Sequence, residues 1–389
     1  MNVLVVNAGS STLKYQVIDT KSHKVSAKGS CERVCFTGGT FTHAANGSKK
    51  VTENIEFPDH KVAIEVVLKD LEANGVKIEG IGHRIVQGGW YFGDSSLVDE
   101  DVLAKIREVA PLAPLHNNPE ANVIEYCLEQ YPDLPNVTVY DTAFHFNMPE
   151  VAKTYALPKD VCDKLHIRKY GAHGTSYRYI SKKVAEMTNG EARKVVVCHI
   201  GSGASLCAIE DGKCMDTTMG LTPLDGVMMG TRCGSIDPAT VCYLQREGGY
   251  TFDEVDEMMN KKSGLLGLCG FTDMRDVHKE IENGNKKAEL ALNMLVRSIK
   301  KTLGAYFFLL GGKVDALVFT AGIGENDDIV RAKVCEGLEE LGVRLNLEEN
   351  GTRKPGARTI STPDSKIKVL IIPTNEELQI AQATMEVLA

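Results

Sequence analysis

The chain opens with an unbroken aliphatic run, Val3-Leu4-Val5-Val6. It breaks at Asn7-Ala8-Gly9-Ser10-Ser11 and resumes as an alternating polar–apolar segment from Lys14 to Ile18. Branched aliphatics fit a pleated, buried surface, and alternation fits a half-buried strand. The pattern predicts two strands joined by a Gly/Ser turn. Strand-like sequence with Gly and Thr turns continues to about residue 55. "HKVAIEVVLKDLEANG" then sets Ile64, Val67, Leu68 and Leu71 on one helical face, with Gly75 as its stop. "IEGIGHRIVQGGW" reads as a short strand ending in a loop, and "LPNVTVYDTAFH" as a buried strand ending at Asp141.

The opening pattern then returns. "KVVVCHIGSGASLCAIEDGK", Lys194 to Lys213, is again strand, Gly/Ser turn, strand and turn. Two copies of one unit predict a duplicated fold with one copy in each of two domains. A third Gly-rich turn is expected after the strand in "VDALVFTAGIGEND", followed by a helix in "DIVRAKVCEGLEELG". A long helix is expected from Lys286 to Leu310, with Leu292, Leu295, Ile299, Leu303 and Tyr306 on one stripe. Strands alternating with helices predict an α/β architecture. The region Pro149 to Pro158 is the candidate domain junction.

Composition narrows the class. A chain of 389 residues is long for one core and suits two domains. Hydrophobic content of 43% and charged content of 25% are those of a soluble globular protein. A net charge of −8 argues against a nucleic-acid binder. It leaves room for an anionic substrate, because a few arginines in a cleft suffice. The 11 cysteines include no CxxC pair, and no HExxH occurs, so no zinc spacing is present. Scattered free thiols suit a reducing cytoplasm. No signal segment or membrane-length apolar run is read in the sequence. The expectation is a cytoplasmic enzyme.

Three Gly/Ser turns at strand ends can bring backbone N–H groups close to phosphate oxygens. Taken singly, each reads more readily as an ordinary turn; three in a duplicated layout shift the balance towards phosphate binding. None matches the Walker pattern, and "GIGEND" lacks the last glycine of a dinucleotide fingerprint. Arg84 in "GHRIVQGG" and Arg232 in "GTRCGSIDP" have glycine neighbours that make room for a carboxylate or phosphate. His116 is expected in a Pro-bounded turn, and His173 lies in "KYGAHGTS" between glycines; either histidine is also readable as structural. Asp141 ends an apolar strand. Glu376 and Glu377 open the last helix, where acids favour the helix dipole or, alternatively, a Mg²⁺ ion.

Together the motifs "VVNAGSSTLK", "GHRIVQGG", "PLHNN", "DTAFH", "RKYGAHGTS", "CHIGSGAS", "TPLDGVMMGTRCGSIDP", "NKKSGLLG", "DMRD", "FTAGIGEN" and "IPTNEEL" resemble the acetate kinases. This is the acetokinase family of the actin/Hsp70/sugar-kinase superfamily, and the resemblance covers essentially the whole chain in one order. It implies a duplicated, ribonuclease H-like α/β fold, with two domains and a nucleotide cleft between them. The N-terminal domain is expected at 1–148, joined by the C-terminal helix 377–389. The second is expected at 149–376, with the adenosine site and a homodimer interface. The implied reaction is reversible, direct in-line phosphoryl transfer from ATP to acetate, giving acetyl phosphate and ADP, with Mg²⁺ (or Mn²⁺ in its place).

By the same resemblance, Asn7 and Glu376 hold the metal, largely through waters. Arg84 and Arg232 grip the carboxylate and the migrating phosphoryl group, and His173 stabilises its charge. Asp141 positions the arginine or the metal waters. Ser10, Ser11, Thr12, Lys14, His116 and His199 support the phosphates. Gly201, Ser202 and Gly203 face the β- and γ-phosphates. Asp273, Met274, Arg275, Gly322, Ile323, Gly324 and Asn326 flank the adenosine. Val86, Leu115, Ala172 and Pro223 wall the acyl pocket. The sequence departs from the family pattern at Thr12 (usually Ser), Gln87 (His), Ser202 (Asn) and Ala172 (Phe). Loss of the ring at Ala172, unless Trp90 refills the space, favours a propionate or butyrate kinase as the alternative within the chemistry. Outside it stand an Hsp70/actin-like ATPase module and a nicotinamide dehydrogenase built on "GIGEND".

Overall fold

The computed structural model describes residues 1–45 and 47–389. The chain groups into two compact units. The first comprises Met1–Phe146, Gly174–Ser176 and Asn375–Ala389; the second comprises Asn147–His173 and Tyr177–Thr374.

The first unit holds a sheet of eight strands: β1 (Asn2–Ala8), β2 (Thr12–Asp19), β3 (Val25–Glu32), β4 (Gly39–Ala45), β5 (Ser48–Ile55), β6 (Gly80–Ile85), β7 (Ser96–Leu97) and β8 (Asn136–Tyr140). Their order is β5-β4-β3-β2-β1-β6-β8-β7. β1, β6 and β8 run parallel, and the remaining neighbours are antiparallel. The parallel strands are covered on both faces, which explains their continuous apolar runs. One cover is the helix Pro114–Gln130; beside it on β2 packs the helix His60–Ala73, capped by the Asp59 side chain, which buries Ile64, Val67, Leu68 and Leu71. Its chain turns away at Gly75, where φ is +67°. Another is the final helix, Glu376–Leu388, which packs on β1, β6 and β8. Gly82 of β6 permits this approach, since a Cβ there would lie 2.4 Å from Thr384 Oγ1.

The second unit holds six strands: β9 (Lys194–Ile200), β10 (Ala204–Glu210), β11 (Lys213–Thr217), β12 (Ala316–Thr320), β13 (Arg358–Thr359) and β14 (Lys368–Ile371). The order is β11-β10-β9-β12-β14-β13. β9, β12 and β14 are parallel, while β10 and β11 continue the sheet antiparallel. The series β3-β2-β1-β6-β8 thus repeats as β11-β10-β9-β12-β14, the duplication that the two hairpins predicted. The helix Lys286–Leu309 starts at the Asn285 cap and buries Leu292, Leu295, Ile299, Leu303 and Tyr306 in this unit's core. Gly311 and Gly312, both at positive φ, follow its end. Among the described residues, no helix is long and apolar enough to cross a membrane, and the cysteines are free thiols.

Candidate active site

In the first unit, parallel pairing brings three strand ends together. Val6 of β1 pairs with His83 of β6, and Ile85 of β6 pairs with Tyr140 of β8. The residues at or just past these carboxyl ends are Asn7, Arg84 and Asp141. Such an edge is where open α/β sheets bind ligands. Arg84 donates from Nε and Nη2 to Asp141 Oδ2 at 3.1 and 2.6 Å, and from Nη1 to Asn7 Oδ1 at 3.1 Å. Of the five guanidinium N–H groups, these bonds use three, and no described residue accepts from the other two. Arg84 is 18% exposed and Asp141 only 1%. Burial opposes the charge on Arg84, but Asp141, Glu376 and Glu120 together keep it firmly protonated.

Asp141 is held from both sides. Its Oδ1 accepts from Thr175 Oγ1 at 2.7 Å, and its carbonyl accepts from Gly174 N–H at 2.8 Å. A Cβ at Gly174 would lie 2.3 Å from that carbonyl oxygen. These bonds explain why Gly174–Ser176 groups with the first unit while the chain on either side belongs to the second.

The β1–β2 turn is tight: Gly9 N–H donates to Thr12 O at 2.7 Å. Gly9 O in turn accepts from His60 Nε2 at 2.7 Å, and burial lowers the pKa of that ring. Ser10 and Lys14 are exposed, and Ser11 and Thr12 half-buried. Glu376 is the first residue of the last helix, which Asn375 caps. Burial pushes the Glu376 carboxyl up to about 7, with Asp141 and Glu377 adding to the shift and Arg84 opposing it. The oxygen donors at this edge are of the kind that a hard cation such as Mg²⁺ takes. Asn7 and Glu376 are the residues that fit it.

The loop after β6 is pinned at every residue. Val86 N–H donates to Glu120 Oε2, Gln87 N–H to Asn117 Oδ1, Gly88 N–H to Thr142 Oγ1, and Gly89 N–H to Gln87 Oε1. Asn117 and Glu120 lie on the helix Pro114–Gln130. His116 is in the first turn of that helix, a correction to the Pro-bounded turn expected for it: Pro114 stands at N1, where its fixed φ starts a helix. Val86 is buried, whereas Leu115 is 55% exposed. Trp90 packs against the ring of Tyr91.

In the second unit, the β9–β10 turn is Gly201-Ser202-Gly203, closed by Gly201 N–H to Gly203 O at 3.0 Å. His173 has left-handed backbone geometry, φ 58°, immediately before the helix Gly174–Met187. Its Nδ1 is 2.8 Å from Ser205 Oγ, which is also 2.5 Å from Tyr177 OH. Its ring stacks on His199, centroid to centroid 4.0 Å. Arg232 reaches the same turn: a Cβ at Gly203 would lie 3.3 Å from Arg232 Nη1 and 3.6 Å from His173 Nε2. Arg232 donates to Pro223 O at 3.2 Å, and no carboxylate among the described residues pairs with it. Burial depresses its pKa. Ala172 is buried in the core of this unit.

The third Gly-rich segment is a short helix, Ala321–Asn326, and not the turn expected from "GIGEND". Asn326 Nδ2 donates to Gly322 O, and Arg331 Nη1 donates to Gly324 O at 3.0 Å. Arg331 is fully buried and binds Asn350 twice more, through Oδ1 and O, both at 2.7 Å. Burial, with Arg358 nearby, lowers its pKa to about 10. A Cβ on Gly201 would lie 3.9 Å from Gly322 N, so the hairpin turn and the short helix are neighbours. Asp273 caps the helix Met274–Glu282 and pairs with Arg275, whose side chain is 88% exposed; these bonds hold the Asp273 carboxyl down to about 2. Met274 is turned into the core.

His60, Asn117, Glu120, Ser205 and Arg331 are contributors that the sequence reading missed. A signal existed for two of them. Glu120 shares a helical face with Ile124 and Cys127, and Arg331 lies beside Val330 and Val334; a charge on an apolar face needs a buried partner.

The family model that matches the chain is that of the acetokinase family, over residues 2–382. An acetate kinase of Desulfovibrio desulfuricans is 54% identical over 402 residues, covering 100% of both chains. The crystal structure of Porphyromonas gingivalis acetate kinase superposes with a TM-score of 0.94 at 39% identity, covering 100% of each chain. That of a propionate kinase from Francisella tularensis superposes with 0.93 at 39% identity, covering 99% of each. The chain belongs to the acetokinase family.

Proposed function

We propose that the chain is an acetate kinase. It moves the γ-phosphoryl group of ATP to a carboxylate oxygen of acetate, reversibly and without a covalent enzyme intermediate. One P–O bond forms to the acyl oxygen while the bond to the ADP oxygen breaks. Charge balances without proton release, because acetate is already ionised at neutral pH. The nucleophile therefore needs no general base; the difficulty is bringing two anions together. The observation that carries this reading is the pair of arginines. Arg84 keeps two N–H groups uncommitted, and Arg232 has no carboxylate partner.

In this reading Arg84 grips the acetate carboxylate, held by Asp141. Arg232 and His173 neutralise the phosphoryl oxygens as charge shifts in the transition state. The Ser205 bond to Nδ1 turns Nε2 of His173 outward. Gly201, Ser202 and Gly203 offer backbone N–H groups to the phosphates, helped by His199, and Ser10, Ser11, Thr12, Lys14 and His116 are the further phosphate-supporting residues. Asp273, Arg275, Gly322, Ile323, Gly324 and Asn326 flank the adenosine, with Met274 contributing main chain. Asn7 and Glu376 hold Mg²⁺, which when bound offsets phosphate charge. Val86, Leu115 and Pro223 wall the methyl group. A cytoplasmic homodimer belongs to the same proposal, supported by the free thiols and by exposed Tyr243, Phe252 and Phe308 on the second unit.

A second reading, a propionate or butyrate kinase, rests on the small buried Ala172. The acetate kinase and propionate kinase structures are each 39% identical to the chain, so the likeness to those two does not separate the acids. Hydroxamate trapping of acyl phosphate with MgATP and each of acetate, propionate and butyrate tests both. Acetate well ahead supports the main reading. A longer acid equal or ahead supports the second. No product with any acid contradicts both.

A further inference from the structure

The helix Pro114–Gln130 carries a buried acid that the reaction proposed above does not use. Glu120 Oε2 accepts from Val86 N–H at 3.2 Å, while Oε1 is buried and has no partner among the described residues. An ionised carboxylate there would bury a full charge with one oxygen unbonded, whereas the neutral acid buries only an O–H without an acceptor, a smaller cost. Burial pushes the Glu120 carboxyl up to about 8, with Arg84 opposing the shift and Asp141 adding to it. Arg84 on β6 and Asp141 after β8 are the charged groups that face it. Lys61 and Arg107, from the two helices packed alongside, pair with Glu125 on the exposed flank of the same helix.

We propose that Glu120 is a positioning residue for the acyl site: as a neutral acid it fixes the Val86 backbone at the end of β6, and as a carboxylate it draws Arg84 away from the substrate. The inference rests on the reading of Arg84 and Val86 as acyl-site residues. It concerns binding of an anion to a site that becomes one charge more negative. Acetate itself does not titrate near neutrality, so any change there belongs to the protein.

The test is KM for acetate from pH 6.5 to 9.5 at saturating MgATP, for the wild type, Glu120→Gln and Arg84→Ala. In the wild type, KM for acetate rises above pH 8 by up to about tenfold per unit, and kcat changes less. Glu120→Gln keeps the acceptor for Val86 and cannot ionise, so its KM stays flat over the range. KM for ATP shows no such difference between the two proteins. A wild-type rise that persists unchanged in Glu120→Gln, with Arg84→Ala impaired in acetate binding, overturns the role of Glu120 alone. Normal acetate binding by Arg84→Ala overturns the reading of Arg84, and the inference with it. Thermal melts give an independent readout. The folded state holds the Glu120 proton to about pH 8, and the unfolded chain releases it near ~4.3. Stability therefore falls as pH rises through that window and levels off above it. Glu120→Gln should melt above the wild type at pH 9 and with it at pH 4; coincident melts at both contradict a buried neutral acid.

Discussion

Arg84 Nη2 lies 2.6 Å from Asp141 Oδ2, at the carboxyl ends of adjacent parallel strands, and Thr175 holds the other carboxylate oxygen. The pair fixes the guanidinium plane and leaves two N–H groups without an acceptor among the described residues. Asp141→Asn should keep the shape and lose the charge. We expect kcat/KM for acetate to fall on the order of 10²-fold, the scale set by misplacing a reacting group. Asp141→Ala, which strands a mostly buried cation, should also cost about 3–5 kcal/mol of stability. Steady-state kinetics and denaturant melts check the two. Unchanged kinetics in Asp141→Asn would remove the positioning role.

The Ser205 hydroxyl helps to orient His173. Ser205→Ala removes a hydroxyl bonded to both His173 Nδ1 and Tyr177 OH. The expected loss is about 1.4 kcal/mol of transition-state stabilisation, roughly tenfold in kcat. KM for acetate should change less than kcat. A fall confined to KM would contradict a transition-state role for His173.

Arg331 ties the short helix Ala321–Asn326 to Asn350. Arg331→Met fills the space but leaves three buried acceptors unpaired, each worth about 1–3 kcal/mol. We expect a higher KM for ATP, an unchanged KM for acetate and a lower melting temperature. Equal effects on both substrates would mean that Arg331 acts on the whole unit and not on the nucleotide segment.

Glu376 is neutral below about pH 7, because burial and its acidic neighbours raise its pKa. A divalent cation needs the ionised form. Apparent Mg²⁺ affinity should therefore fall as pH drops from 8 to 6, by up to about tenfold per unit below 7. Glu376→Gln should bind Mg²⁺ weakly with little pH dependence. Calorimetric titration with MgCl₂ at the two pH values measures this, and equal wild-type affinities would exclude Glu376 as a ligand.

The hairpins β1–β2 and β9–β10 were legible because aliphatic runs met Gly/Ser turns twice. The helix Lys286–Leu309 was legible from its apolar stripe. The helix Ala321–Asn326 was not, since two glycines in six residues speak against a helix; side-chain bonds from Arg331 to Gly324 O, and locally from Asn326 to Gly322 O, favour it. Pro114 bounds a turn in the sequence pattern and starts a helix in the structure. Arg84 and Asp141 stood out, but their ion pair rests on strands 57 residues apart. The apolar face around Glu120 signals a buried partner, but the backbone groups that Glu120 and Asn117 bind are remote in sequence and cannot be named from it.

The most direct test of the account is oxygen tracing. Acetate labelled with ¹⁸O in both carboxylate oxygens is incubated with the protein and MgATP, and the products are followed by ³¹P NMR. Attack by a carboxylate oxygen predicts acetyl phosphate whose phosphorus carries a bridging ¹⁸O and shows its isotope shift. Release of unlabelled inorganic phosphate, independent of acetate, would contradict the account.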